Sequence, residues 1–222
     1  MDAPIEIETG PAPTASILVL HGLGADGTDF VPICDELDLD RIGPVRYVLP
    51  HAPLRAVTVN GGHVMRAWYD IAALGTGAVR REDEAGLRDS RTLIEGLIAR
   101  ERARGIASER IVIAGFSQGC AMALMTGLRH AERLGGIAGL SGYLPLADAT
   151  EAERAPANHA TPVFLAHGVD DPIVPLARAL ATRDRLRALG VAVDWHEYPI
   201  EHTVSLDEIR DLEDWLNAHL GA

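Results

Sequence analysis

Ser117 stands in Gly115-Phe116-Ser117-Gln118-Gly119, directly behind the short β-branched run Ile111-Val112-Ile113-Ala114. The residues after it, Cys120-Ala121-Met122-Ala123-Leu124-Met125, read as a buried helix. A serine placed where a strand turns abruptly into a helix has the layout of a nucleophile elbow, and glycines two before and two after it let the two backbones approach. A hydroxyl is a weak nucleophile at neutral pH. Such chemistry therefore needs an imidazole to take the proton and a carboxylate to hold that imidazole in the right tautomer. In this layout the acid and then the histidine follow the serine, each in a loop behind a later strand.

The segment Pro162-Val163-Phe164-Leu165-Ala166 is an apolar strand that runs into His167-Gly168-Val169-Asp170-Asp171-Pro172, which offers two acids. Val191 to Tyr198 alternates as a further strand, and Pro199-Ile200-Glu201-His202 forms the loop behind it. Three histidines follow Asp171. His196 lies within the strand and His219 on the last helix, positions suited to solvation or packing, whereas His202 occupies the expected loop. Spacing alone favours Asp171 over Asp170 only weakly.

Acyl transfer also needs donors for the oxyanion. Ser16-Ile17-Leu18-Val19-Leu20 reads as a buried strand and leads into the glycine-rich loop His21-Gly22-Leu23-Gly24-Ala25-Asp26-Gly27. That loop can aim a backbone N–H at a developing alkoxide, with the N–H of Gln118 at the start of the elbow helix as the second donor. Read instead as a phosphate cradle, the same glycines give only a weak match. Their spacing matches neither the dinucleotide fingerprint nor a P-loop, and the P-loop requires a lysine.

Together these residues resemble the carboxylesterase and acyl-protein thioesterase family of small α/β-hydrolases, closest to its bacterial carboxylesterase branch. Leu20 to Gly24, Pro50-His51-Ala52-Pro53, Val57 to Gly62, Arg66-Ala67-Trp68-Tyr69-Asp70, Gly115 to Gly119, His167-Gly168 with Asp171-Pro172, and His202 carry the resemblance. It implies a catalytic triad of Ser117, Asp171 and His202, which selects between the two aspartates, and an oxyanion hole from the N–H groups of Leu23 and Gln118. It also implies an active-site flap and acyl-pocket wall between about 50 and 83, including Trp68 and Leu74 as substrate-binding residues; core filling is the alternative for Trp68. One departure is Cys120, where the family usually has a second glycine. A small cysteine is tolerated in a buried helix and should adjust packing only.

The elements that must hold these groups are legible in outline. Short apolar strands near 16–20, 45–49, 110–114, 135–140, 162–167 and 191–197 alternate with helical stretches near 84–104, 118–131, 174–189 and 204–219. This order predicts an α/β-hydrolase architecture over residues 1–222 as a single domain: a mostly parallel sheet covered on both faces by helices, with no insertion large enough for a cap domain. The Pro- and Gly-containing segment from about 50 to 83 is the longest stretch without periodicity, and pockets are commonly built from such loops.

Composition removes several other functions. With 20 basic against 32 acidic residues the net charge is −12, which repels nucleic acid. All the basic residues are arginine. The chain therefore holds no lysine for Schiff-base chemistry or pyridoxal phosphate. Cys34 and Cys120 have no metal or redox spacing and are expected reduced and buried, and no His-Glu-x-x-His element is present. The N-terminal stretch, bearing Asp2, Glu6 and Glu8, does not read as a signal peptide, and no run is long enough to span a bilayer. The expectation is a cytoplasmic hydrolase of small ester or thioester substrates that uses no cofactor or metal; oligomeric state stays open, a homodimer included. Two alternatives remain: a catalytically silent ligand-binding protein, and a peptidase or lyase on the same fold.

Overall fold

The computed structural model describes residues 2–72 and 82–221. Its centre is a seven-stranded sheet. The strands are β1 (Ile5–Glu8), β2 (Ala15–Leu20), β3 (Val45–Leu49), β6 (Ile111–Phe116), β7 (Gly136–Leu140), β8 (Val163–Gly168) and β9 (Val193–Tyr198), in the spatial order β1-β3-β2-β6-β7-β8-β9. Six strands run parallel and β1 pairs antiparallel with β3 at one edge. Three strands are absent from the sequence expectation: β1 at the sheet edge, and β4 (Leu54–Val57) with β5 (His63–Arg66), which form a separate antiparallel hairpin.

Burial on both faces explains why the central strands are continuously apolar rather than alternating. Every residue of β2 and all but the last of β6 are buried. On one face α2 (Glu84–Ala103), α3 (Gln118–Gly127) and α5 (Leu176–Ala188) pack through Leu87, Ile94, Ile98, Met122 and Leu186. On the other, α1 (Val31–Glu36) and α6 (Leu206–Leu220) pack through Cys34, Leu212, Trp215 and Leu216. The remaining helical turn, α4 (Thr150–Glu153), lies between β7 and β8. Among the described residues no separate cap domain covers the sheet.

Helix boundaries move by a few residues from expectation for local reasons. Pro175 caps α5, so the helix starts at Leu176 and not near 174. α3 stops at Gly127, short of 131. α6 opens with a capping box in which the Ser205 hydroxyl accepts from the Glu208 N–H and the Glu208 carboxyl accepts from the Ser205 N–H.

The parallel strands β2, β6, β8 and β9 each end just before a predicted site residue. Leu23 follows β2, Ser117 follows β6, Asp171 follows β8, and His202 follows β9. Loops at the carboxyl ends of parallel strands are where open α/β sheets build their sites.

Candidate active site

Ser117 has φ 56° and ψ −113°. That left-handed conformation is strained for a residue with a Cβ. It is held by the Ser117 N–H, which donates to the Leu140 carbonyl of β7 at 2.8 Å. The two motif glycines have separate steric reasons. A Cβ at Gly119 would land on the Leu20 carbonyl oxygen, and one at Gly115 on the Gly119 carbonyl group. The elbow therefore depends on contact between strand, helix and the neighbouring β2 that only glycine permits.

His202 Nε2 lies 2.9 Å from Ser117 Oγ, and His202 Nδ1 lies 2.6 Å from Asp171 Oδ2. The other carboxylate oxygen of Asp171 accepts from the N–H groups of Ile173 and Val174, each at 2.8 Å. The Asp171 side chain is fully buried, whereas Asp170 is exposed. The ring of Phe116 stands against His202 with centroids 4.7 Å apart. With the carboxylate beside it, Nδ1 carries a proton, leaving the Nε2 lone pair turned toward the serine hydroxyl.

His167, to which the sequence assigns a place in the family resemblance but no role of its own, supports this loop from behind. Its Nε2–H donates to the Val174 carbonyl at 2.7 Å, closing the turn that carries Asp171. Burial pushes its imidazole below the ordinary histidine range, so it stays neutral. The signal available in sequence was a histidine at the buried end of a strand, two residues before the acid-bearing turn.

Leu23 and Gln118 open onto the same cavity as Ser117 and His202. Gln118 is the first residue of α3, so its N–H has no intrahelical acceptor. The Leu23 N–H has no partner among the described residues, although its neighbours are fixed. The Gly24 N–H donates to the Arg66 carbonyl at 2.9 Å, and the Gly22 carbonyl accepts from His21 Nδ1 at 2.7 Å. His21 Nε2 in turn accepts from the Ala52 N–H at 2.9 Å, and burial pushes its imidazole down, which keeps it neutral with the proton on Nδ1.

The cavity measures about 640 Å³, and much of its wall is apolar, from Phe30, Ile33, Val59, Ile71 and Val204. Tyr69, Asp70, Ile71 and Ala72, from the segment after residue 50, contribute to the wall. Trp68 does not: it is fully buried and outside the cavity lining, contrary to the expectation that it binds substrate. Its indole N–H is turned away to the His21 carbonyl at 2.9 Å. Leu74 lies outside the described residues. Tyr69 and Tyr143 join through their hydroxyls at 2.6 Å, and the Arg178 guanidinium lies 3.1 Å from the Tyr143 ring centroid. Among the described residues no group of three or more His, Cys, Asp and Glu side chains is arranged to hold a metal ion.

Residues 3–220 match the family described as Phospholipase/Carboxylesterase. The chain is 36% identical over 220 residues to acyl-protein thioesterase 1 of Yarrowia lipolytica, a match covering 97% of this chain and 96% of that one. Among solved structures it is similar to Arabidopsis thaliana SOBER1, with a TM-score of 0.88, 31% identity, and 93% and 99% of the two chains covered. It is also similar to Zea mays acyl-protein thioesterase 2, with a TM-score of 0.84, 28% identity, and 97% and 99% coverage. These similarities do not favour the bacterial carboxylesterase branch. The chain belongs to the phospholipase/carboxylesterase family of α/β-hydrolases.

Proposed function

We propose that the chain hydrolyses carboxylic esters and acyl thioesters through a Ser117–His202–Asp171 triad and an acyl-enzyme intermediate. The observation that carries this reading is the continuous hydrogen-bonded line Ser117 Oγ to His202 Nε2, and His202 Nδ1 to Asp171, at 2.9 and 2.6 Å. His202 takes the hydroxyl proton as Ser117 Oγ attacks the acyl carbonyl carbon. The resulting imidazolium is balanced by Asp171. The tetrahedral oxyanion sits between the N–H groups of Leu23 and Gln118, and its collapse expels the alcohol or thiol, which takes the proton from His202. Water then repeats the two steps on the acyl-enzyme, releasing the acid and restoring the serine.

The names of the Yarrowia and Zea relatives support acylated proteins as one substrate class, and the open apolar cavity suits an acyl group. Two buried, unpaired cysteines fit a reducing, cytoplasmic setting. No described helix is long and apolar enough to cross a membrane. A chain-length series of nitrophenyl esters and matched acyl thioesters, run beside peptide substrates, tests the proposal. Turnover of esters and thioesters that disappears in Ser117→Ala is the expected result, and preferential peptide cleavage would favour the peptidase alternative.

A further inference from the structure

The two oxyanion donors belong to different elements. Leu23 sits in a loop that has left the β2 ladder, whose last pairing with β6 is Leu20 to Gly115, and Gln118 starts α3. A donor pair works only when both N–H groups converge on one point about 3 Å away. Some structure must therefore fix the loop against the helix.

Residues 66–69 touch both sides. Toward the loop, the Arg66 carbonyl accepts from the Gly24 N–H and the Trp68 indole N–H donates to the His21 carbonyl, each at 2.9 Å. Toward the helix, Gln118 Oε1 accepts from the Trp68 N–H at 2.8 Å, while Gln118 Nε2 donates to the Tyr69 carbonyl at 2.7 Å. Trp68 thus holds the loop with its side chain and the elbow with its backbone. Both hydrogen bonds of the Gln118 amide go to this segment, which assigns its side chain to scaffolding and leaves its backbone N–H, without an intrahelical acceptor, for the oxyanion. A hydroxyl from α2, that of Ser90, bonds the Trp68 carbonyl and braces the segment from below.

We infer that the side chains of Trp68 and Gln118 form a clamp that sets the relative position of the Leu23 and Gln118 N–H groups, making both side chains positioning residues for the oxyanion. This rests on the serine-hydrolase reading above. Since the clamp acts on the tetrahedral species, its loss lowers kcat and leaves substrate binding almost unchanged.

The test uses Trp68→Phe, which keeps a large ring and deletes the indole donor, and Gln118→Leu, which keeps volume and deletes the amide. Turnover of nitrophenyl acetate is measured per active site titrated with a fluorophosphonate, so that partly folded preparations are still read. Phenylboronic acid, which forms a tetrahedral adduct on the serine oxygen, reports the oxyanion geometry directly. Removing one oxyanion donor outright costs about 10²–10³ in kcat, and misplacing it costs about 10–100-fold. Each variant is therefore expected to lose about 10–100-fold in kcat and in boronate affinity, with KM within about threefold, and the double variant to lose less than the product of the two.

Trp215→Phe is the control for buried-ring loss. Trp215 packs against Phe164 with centroids 5.8 Å apart, away from the site, so this variant should be less stable but keep kcat. If Trp68→Phe fails to fold, Gln118→Leu decides alone. Parental kcat and boronate affinity in the folded variants overturn the clamp, as does an equal kcat loss in Trp215→Phe. Activity surviving in Ser117→Ala would instead overturn the underlying serine mechanism.

Discussion

Asp171 Oδ2 lies 2.6 Å from His202 Nδ1 while Asp171 Oδ1 is filled by two backbone N–H groups, so the carboxylate has one oxygen for the loop and one for the imidazole. The division has a chemical consequence for the isosteric amide. In Asp171→Asn the oxygen must remain with the two N–H donors, which turns the NH₂ toward His202 Nδ1. The imidazole then accepts at Nδ1 and carries its proton on Nε2, the wrong side for a base facing Ser117.

Asp171→Asn is accordingly expected to fold and to lose about 10³–10⁴-fold in kcat with a modest change in KM. Asp170→Asn should stay within about tenfold of the parent, because an exposed neighbouring carboxylate contributes only a screened field. Steady-state kinetics of both variants in one buffer give the comparison. A larger loss at Asp170 would reverse the assignment.

At Ser117 the backbone conformation and the chemistry can be separated. Ser117→Ala keeps the Cβ at φ 56° and is expected to retain the parent's stability while losing ester hydrolysis and fluorophosphonate labelling. Ser117→Gly is equally inactive but relieves the left-handed strain, and should be more stable by about 1 kcal/mol. Urea unfolding of the two variants measures the difference, and a glycine variant no more stable than the alanine one would show that the strain is negligible.

The main sheet and the elbow were legible because their signals are local. β6 carries a continuous apolar run, and the glycines of the elbow are required by contacts within a few residues of Ser117 and with β2. β1 is hard to see in the sequence although Ile5-Glu6-Ile7-Glu8 alternates, since four residues give a weak pattern. The β4–β5 hairpin turns through Gly61 and Gly62, both at positive φ, a signal that the non-periodic flanks obscured. The choice between Asp170 and Asp171 depended on the family resemblance, because adjacent residues in a loop differ only in which way the turn points them. Between pocket wall and core filling Trp68 stays undecided in the sequence for a similar reason: the partner of its indole, the His21 carbonyl, is 47 residues away.

Cys120 offers a third measurement. It follows Ser117 in α3, is fully buried, and fills the space that a family glycine would leave: a Cβ at Gly139 would come within 2.6 Å of its sulfur. Burial pushes the thiol up to about 12, so it carries no nucleophilic thiolate at neutral pH. Native protein should resist thiol reagents at this position. Cys120→Ala should keep most of its turnover, with a stability loss of about 1 kcal/mol from the small cavity. Loss of activity in a folded Cys120→Ala, with Ser117→Ala still active, would mean a thiol mechanism.

Glu208 gives the fold a pH dependence of its own. Its carboxyl is buried in the capping box of α6, where desolvation raises its pKa from 4.5 to about 8; the Ser205 N–H opposes that rise and Asp211 adds to it. The folded state therefore holds a proton that the unfolded chain releases near pH 4.5. Stability from this group is complete below that pH and is lost as pH rises toward about 8, with a slope of up to about 1.4 kcal/mol per pH unit. Glu208→Gln keeps a carbonyl acceptor for the Ser205 N–H and removes the titration. The difference in unfolding free energy between variant and parent should thus widen in the variant's favour from pH 5 to pH 8, read by urea denaturation at each pH. A difference that stays constant over that window would show that Glu208 is already ionised in the folded protein.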